Sequence, residues 1–512
     1  MPTQLLTIKP TGRINRRLAP DQIANDEVVT RENMVVEGIG ANRFTRKHPG
    51  ADRFVTTAVG TRFIGLFRYY SKDKTATFGL NDGTLYHIDA SGATTSKITG
   101  LSTLNYGHTE TMRVSGNDVM FFVNGTDGMH SYDGNPGFNW KKETTVSQNF
   151  AYIVSHLDRL WGFEEDSEIL QFSGNLNPLD YTSADSGAIT IGPKSGKRIQ
   201  AIVLLNETLY IFKEDSIFVL LGRAPSEFEV REITNTLGTA ARFSVQNVET
   251  GIMFLGSDYE VWSFGGSRDS LKLESFNVAL GGDLTSRLPT TLVKQRVNQI
   301  VAVFHNHTYR LSFVETGKTE NNMEYCINTS NQIDYFTRDF NIASYVAFDK
   351  LPDINELYTG RYDTGLVMKM YEDFNVDNQA TSVTMPYKLK TKSYRAADES
   401  ILNLRFKRIW ANLEVRGASL LPVHYLIDTR NRTADRRTED FNTQGETVTV
   451  AGLKFTAQDR ISSRETLKWG GSKGQSIQLV IDDSGGNIDL IISSFVIEVI
   501  LKTRKRSRFV GV

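Results

Sequence analysis

The chain has 512 residues, 39% of them hydrophobic and 23% charged, with a formal net charge of −1. That length can bury a large core and fits two to four domains. The near-zero charge supplies no global field to draw DNA or an anionic membrane. The single cysteine, Cys326, excludes an internal disulfide framework and a multi-cysteine metal site.

The first segment, residues 1–57, begins without an apolar run long enough for a signal peptide, so synthesis in a cytoplasm is expected. It carries Arg13, Arg16 and Arg17, then Arg43, Arg46, Lys47 and the turn His48-Pro49-Gly50. It reads as an extended N-terminal arm. Residues 21–34 and 285–296 are the best helix candidates in a chain otherwise poor in helical periodicity. No stretch reaches the roughly 20 apolar residues of a membrane helix, so no membrane insertion is expected.

From about residue 58 to 380 one unit recurs: an apolar run, a polar turn with an aspartate, and a second largely apolar run. It is spelled Phe78-Gly-Leu-Asn-Asp-Gly-Thr-Leu-Tyr86, Trp161-Gly-Phe-Glu-Glu-Asp-Ser-Glu-Ile169, Tyr210-Ile-Phe-Lys-Glu-Asp-Ser-Ile-Phe218 and Met253-Phe-Leu-Gly-Ser-Asp-Tyr-Glu-Val261. A looser copy spans Met120 to Met129, with Asp127 at its turn, and Asp363 sits in a further hairpin. Turn aspartates roughly 40–50 residues apart match the period of propeller blades of about four strands. The predicted fold is all-β: a six- or seven-bladed β-propeller between the arm and a C-terminal β-sandwich. The sandwich is expected over residues 381–512, whose long alternating strands, such as Leu402 to Val415 and Leu490 to Leu501, abandon the repeat's spelling. The chain ends in a basic tail holding Arg504, Lys505 and Arg506.

Several patterns invite chemistry. His305 and His307, two apart on a strand, would face one side and offer two metal ligands, but nothing is spaced to supply a third. Glu164, Glu165 and Asp166, with Glu214 and Asp215, are candidates for the paired carboxylates of a glycosidase. Their recurrence once per unit points instead to turn formation, since aspartate hydrogen-bonds its own turn backbone. The Asp482-Asp-Ser-Gly-Gly-Asn487 stretch is oxygen-rich like a calcium loop, yet lacks the ligand spacing and reads as a hairpin turn. Gly470-Gly-Ser-Lys-Gly474 lacks the Lys-Ser/Thr ending of a phosphate loop. No catalytic residue, metal site or cofactor is therefore expected. The basic termini, Arg13, Arg16, Arg17, Arg504, Lys505 and Arg506, are the candidate oligomer or partner contacts.

The order of arm, propeller and C-terminal β-domain resembles the tail hub or nozzle proteins of short-tailed bacteriophages. The residues that carry this are Gly12-Arg-Ile-Asn-Arg-Arg-Leu-Ala-Pro20, Glu32-Asn-Met34 and Arg46-Lys-His-Pro-Gly50 at the start. The run Gly238 to Gly265 is similar to a family blade, and Phe406-Lys-Arg-Ile-Trp410 with Val496-Ile-Glu-Val-Ile500 to the family's last strands. The resemblance implies a non-enzymatic virion part: a homohexameric ring that extends the portal–adaptor channel and conducts DNA during ejection without gripping it. Its implied partners are head–tail connector proteins and tail fibre, spike or needle proteins, and its implied location is the virion tail. The rival expectation is a carbohydrate-active propeller, either glycosidase or lectin.

Overall fold

The structure, a computed structural model, describes residues 3–503 except 16–17, 39, 73, 193–195, 250, 266–271, 276–287, 289–290, 331–332, 339, 352–353, 372–374, 379–380, 396–401, 417–419, 428–435, 443–446, 451–452, 457–458, 467–472, 475 and 484–488. The described chain is nearly all β.

Five antiparallel four-stranded sheets follow one another in sequence. Sheet one holds Phe63–Tyr70, Thr75–Asn81, Thr84–Ile88 and Thr94–Ile98; sheet two starts at His108–Val114, sheet three at Phe150–His156, sheet four at Ile199–Leu205 and sheet five at Gln246–Val248. Sheet six begins with Val301–His305, Thr308–Phe313, Met323–Asn328 and Ile333–Arg338. Sheet seven has Ile342–Leu351, Ile354–Arg361 and Val367–Met370, and takes its next strand from the other end of the chain, Ala51–Arg53. The first strands pack side by side in order, and Ile342–Leu351 packs back against Phe63–Tyr70.

The repeated apolar run is the second strand of its sheet. Thr208–Lys213 and Thr308–Phe313 are buried at every position, because both faces of the sheet are covered. A continuous apolar run, rather than strict alternation, is what such a strand requires. Apolar clusters fill the spaces between consecutive sheets: Phe67 with Phe122, Leu160 with Phe121, Trp161 with Ile211, and Phe212 with Phe254. Met253 packs with Leu311, Val303 with Leu357, and Phe63 with Tyr358, which joins sheet seven to sheet one. Tight hairpins link several first and second strands. Asn206-Glu207 and Asn306-His307 take positive φ at both positions (49° and 58°, 48° and 57°), as the turn type that matches strand twist demands.

The two ends of the chain meet. Val28–Glu32 lies beside Ile333–Arg338 and Tyr387–Arg395, so sheet six continues through Ser476–Asp483 and Leu420–Ile427 to Arg436–Asn442. A second sheet pairs Met34–Glu37, Phe44–Lys47, Asp489–Thr503, Leu402–Arg416 and Asp459–Thr466, with Thr3–Ile8 also lying on Asp489–Thr503. One apolar core runs through both sheets, including Ile8, Met34, Phe406, Leu479, Phe495 and Ile497, and reaches Tyr309 and Leu311 of sheet six.

Residues 1–57, expected to extend as an arm, are therefore paired within this chain wherever they form described strands. Arg31, fully buried, explains the anchoring. Its guanidinium donates to the carbonyls of Pro10 (3.0 Å), Gly12 (2.7 Å) and Asp334 (3.4 Å), and the Asp334 carboxylate accepts the Ile14 amide at 3.1 Å. The helix expected over 21–34 is a set of turns leading into the strand Val28–Glu32, whose backbone groups are taken by Tyr387–Arg395. Within 285–296, Leu288 and Thr291 are helical, with the Leu292 amide on the Leu288 carbonyl at 2.9 Å, and a 3-10 turn follows at Lys294–Gln299.

Candidate functional site

All seven first strands line one axial cavity of about 600 Å³, with Phe67, His108, Glu110, Tyr152, Val203, Asn247, Val303 and Tyr345 among its walls. Beside it lies a cleft of about 780 Å³. Tyr106 and Phe243 belong to the walls of both, with ring centroids 5.6 Å apart. The cleft is built from the turns between second and third strands (Glu165, Asp166, Glu214, Asp215) and from the loops that lead into first strands (Lys197, Arg198, Arg242). Two of the repeat's turn aspartates, Asp166 and Asp215, thus come to one place.

Three of the four carboxylates there are held by cations, while Asp215 accepts the Ser216 hydroxyl at 2.9 Å. Arg242 donates to both oxygens of Glu165 at 2.5 and 2.8 Å and through Nε to the carbonyl of Gln200 at 3.0 Å. Its guanidinium lies over the Phe163 ring, 5.4 Å from the centroid. Arg198 pairs with Asp166, and Lys197 with Glu214 at 3.3 Å. Burial pushes the Glu165 carboxyl up, but the hydrogen bonds and charge of Arg242, with the charge of Arg198, outweigh it and hold Glu165 below its ordinary range. Glu164 accepts the Asn149 amide at 2.9 Å. This is not the arrangement of an acid/base pair, in which one carboxyl must keep its proton.

The other turn aspartates work as staples. Asp127 accepts the Ser102 amide at 2.7 Å, Asp82 binds the Thr61 amide and hydroxyl, and Asp363 accepts from Asn341 at 2.9 Å. In each case the partner lies in the loop feeding the first strand of the same sheet. Aspartate here fixes a neighbouring loop, where the sequence suggested only its own turn. Asp258 does stay local, accepting the Glu260 amide and the Trp262 indole N–H, both at 3.0 Å.

In the axial cavity, burial raises the Glu110 carboxyl to about 7 against the lowering effect of the Ser155 amide. His108 stacks on Tyr152 with centroids 3.5 Å apart. Burial, then the charge of Arg242, lowers its pKa to about 3, so it is neutral at physiological pH.

The remaining expected sites fall apart or lie elsewhere. His305 ends its strand and is buried, its ring stacked near Tyr371, whereas His307 sits in the hairpin turn and bonds Glu249. They do not face one side, because the two-residue turn begins between them. Among the described residues no group of three or more His, Cys, Asp or Glu could hold a metal ion. Cys326 is buried, which raises its thiol pKa far above the ordinary value. Arg13 donates to Glu27 at 2.8 Å, and Lys47 and His48 are fully buried. Arg16, Arg17, Arg504, Lys505 and Arg506 lie outside the described residues, as do most of the 482–487 turn and residues 470–472. Arg198 and Arg242 were not singled out in the sequence, because their partners sit 32 and 77 residues away.

No protein-family model and no curated protein matches the chain. Solved structures it is similar to include the extracellular domain of a putative one-component system from B. thetaiotaomicron, at 12% identity over 91% of this chain and 64% of that one, with a TM-score of 0.41. PorZ, a surface component of the type-IX secretion system of Porphyromonas gingivalis, matches at 11% identity over 77% of this chain and 46% of its own, with a TM-score of 0.36. The computationally designed Ika8 protein matches at 9% identity over 63% of this chain and 99% of its own, with a TM-score of 0.35. At such scores these likenesses carry no argument about the fold or the function of this chain.

Proposed function

We propose that this chain is a structural, non-enzymatic virion protein, one subunit of a ring-shaped tail hub or nozzle of a short-tailed phage. In this reading the seven sheets are the blades of a β-propeller, closed by Ala51–Arg53 completing the seventh. The two extended sheets that gather both chain ends form a β-sandwich beside it. Six copies make a ring that continues the portal–adaptor channel, through which DNA passes without tight binding.

The observation that carries the reading is the meeting of the chain ends. Of the segments on which the tail-hub resemblance rests, Met34, Arg46–Lys47, Phe406–Trp410 and Val496–Ile500 are far apart in sequence, yet they lie in one sheet. Thr7 is opposite Val496, Arg46 opposite Ile491, and Phe406 opposite Val499. The ion-paired carboxylates of the cleft favour a structural part over a hydrolase. A ring requires heterologous contacts that close by rotation, and the near-neutral chain suits a conduit that does not hold phosphates.

Negative-stain imaging and mass photometry of the purified full chain test this. The expected result is a ring of six times the 57.5 kDa chain mass. A chain that stays monomeric at micromolar concentration, alone and with portal–adaptor complexes, overturns it.

A further inference from the structure

We propose that the cleft beside the axial cavity is a binding site for a neutral oligosaccharide, a role separate from ring building. The cleft's volume of about 780 Å³ lies within the usual range for ligand pockets, about 300–1,000 Å³. Its charged lining is Glu165, Asp166, Glu214 and Asp215 against Lys197, Arg198 and Arg242, so the two signs nearly cancel. A polyanion or a polycation would meet no strong net field there. A hydroxyl-rich ligand, each of whose groups both donates and accepts, suits a wall of alternating carboxylates and cations.

The groups are also held in place before any ligand arrives. Arg242 has all three of its nitrogens engaged and is stacked on Phe163, which fixes the Glu165 carboxylate. Gln200 is anchored through its carbonyl to Arg242 and reaches Glu214 at 3.5 Å. Oxygens pre-positioned in this way lose little freedom when a ligand binds. Tyr106 and Phe243 supply aromatic surface at the boundary with the axial cavity, where the C–H face of a sugar ring can rest.

The test uses the full chain in whatever assembly it forms. A microarray of neutral and sialylated oligosaccharides is followed by saturation-transfer NMR and calorimetry with maltotriose, cellotriose and chitotriose. Saturable binding of at least one neutral oligosaccharide is expected, weakened about tenfold or more, or roughly 1.4 kcal/mol, by Gln200→Ala and by Asp215→Ala. Circular dichroism and thermal melting check that both variants fold as the parent does. Absence of neutral-glycan binding overturns the proposal, as does binding that both folded variants retain in full, or binding confined to sialylated glycans. Ring formation is read separately by imaging, so rings without glycan binding overturn this inference alone, and glycan binding by a monomer overturns only the tail-hub reading.

Discussion

Arg242 and Glu165 form a two-toothed ion pair across 77 residues, at 2.5 and 2.8 Å, that ties the loop before sheet five to a turn of sheet three. The Arg242 side chain is 14% exposed and that of Glu165 46%. The pair is thus sheltered on one side and wet on the other. Charge-assisted bonds in fixed fork geometry outlast most surface pairs. A double-mutant cycle with Arg242→Ala and Glu165→Ala, read by urea denaturation, should give a coupling of about 1–2 kcal/mol. Coupling indistinguishable from zero would show that the pair contributes nothing to joining the sheets.

Trp161 is fully buried between sheets three and four, with its indole N–H donating to the His156 carbonyl at 3.0 Å. Replacing it leaves a cavity and an unmet carbonyl. Trp161→Ala should cost about 3–5 kcal/mol, seen as a lower denaturation midpoint with an unchanged slope. Trp161→Phe, which keeps most of the volume, should cost clearly less.

Glu110 predicts a pH dependence of definite sign. Its folded pKa, about 7, is raised above the ordinary 4.5, so the folded chain binds that proton more tightly than the unfolded chain does. The resulting stability is fully present below pH 4.5 and is lost as pH rises through 7. Glu110→Gln removes the titration while keeping an acceptor for the Ser155 amide. Relative to the parent, the variant should gain up to about 3 kcal/mol between about pH 4.5 and about pH 8. Parallel stability–pH curves for the two proteins would refute the assignment.

Arg31 holds residues 10–14 to sheet six. Burial lowers its pKa to about 10, with the charges of Asp334 and Asp26 opposing the shift, so it stays protonated at neutral pH. Arg31→Met removes the guanidinium donor from the Pro10, Gly12 and Asp334 carbonyls, of which Pro10 keeps the Thr45 hydroxyl at 2.6 Å. A loss of about 3 kcal/mol is expected, with faster hydrogen exchange at the Ile14 and Asn15 amides. Unchanged exchange there would mean that the strand pairing alone fixes the segment.

The sequence by itself determined the all-β class and the position of the repeated hairpins, since strands covered on both faces need continuous apolar runs and the turns between them need Asp, Asn or Gly. Phe78–Tyr86 and Tyr210–Phe218 are legible for that reason. It also marked Glu165, Asp166, Glu214 and Asp215 as a group worth weighing. Only the tertiary structure decided what they do, because Arg198 and Arg242, which hold Asp166 and Glu165, reach them from the loops before sheets four and five. The same holds for the chain ends. Strand propensity is local, but the choice of partner is made by long-range backbone pairing, so residues 3–8 read as an arm until they are seen beside residues 495–500.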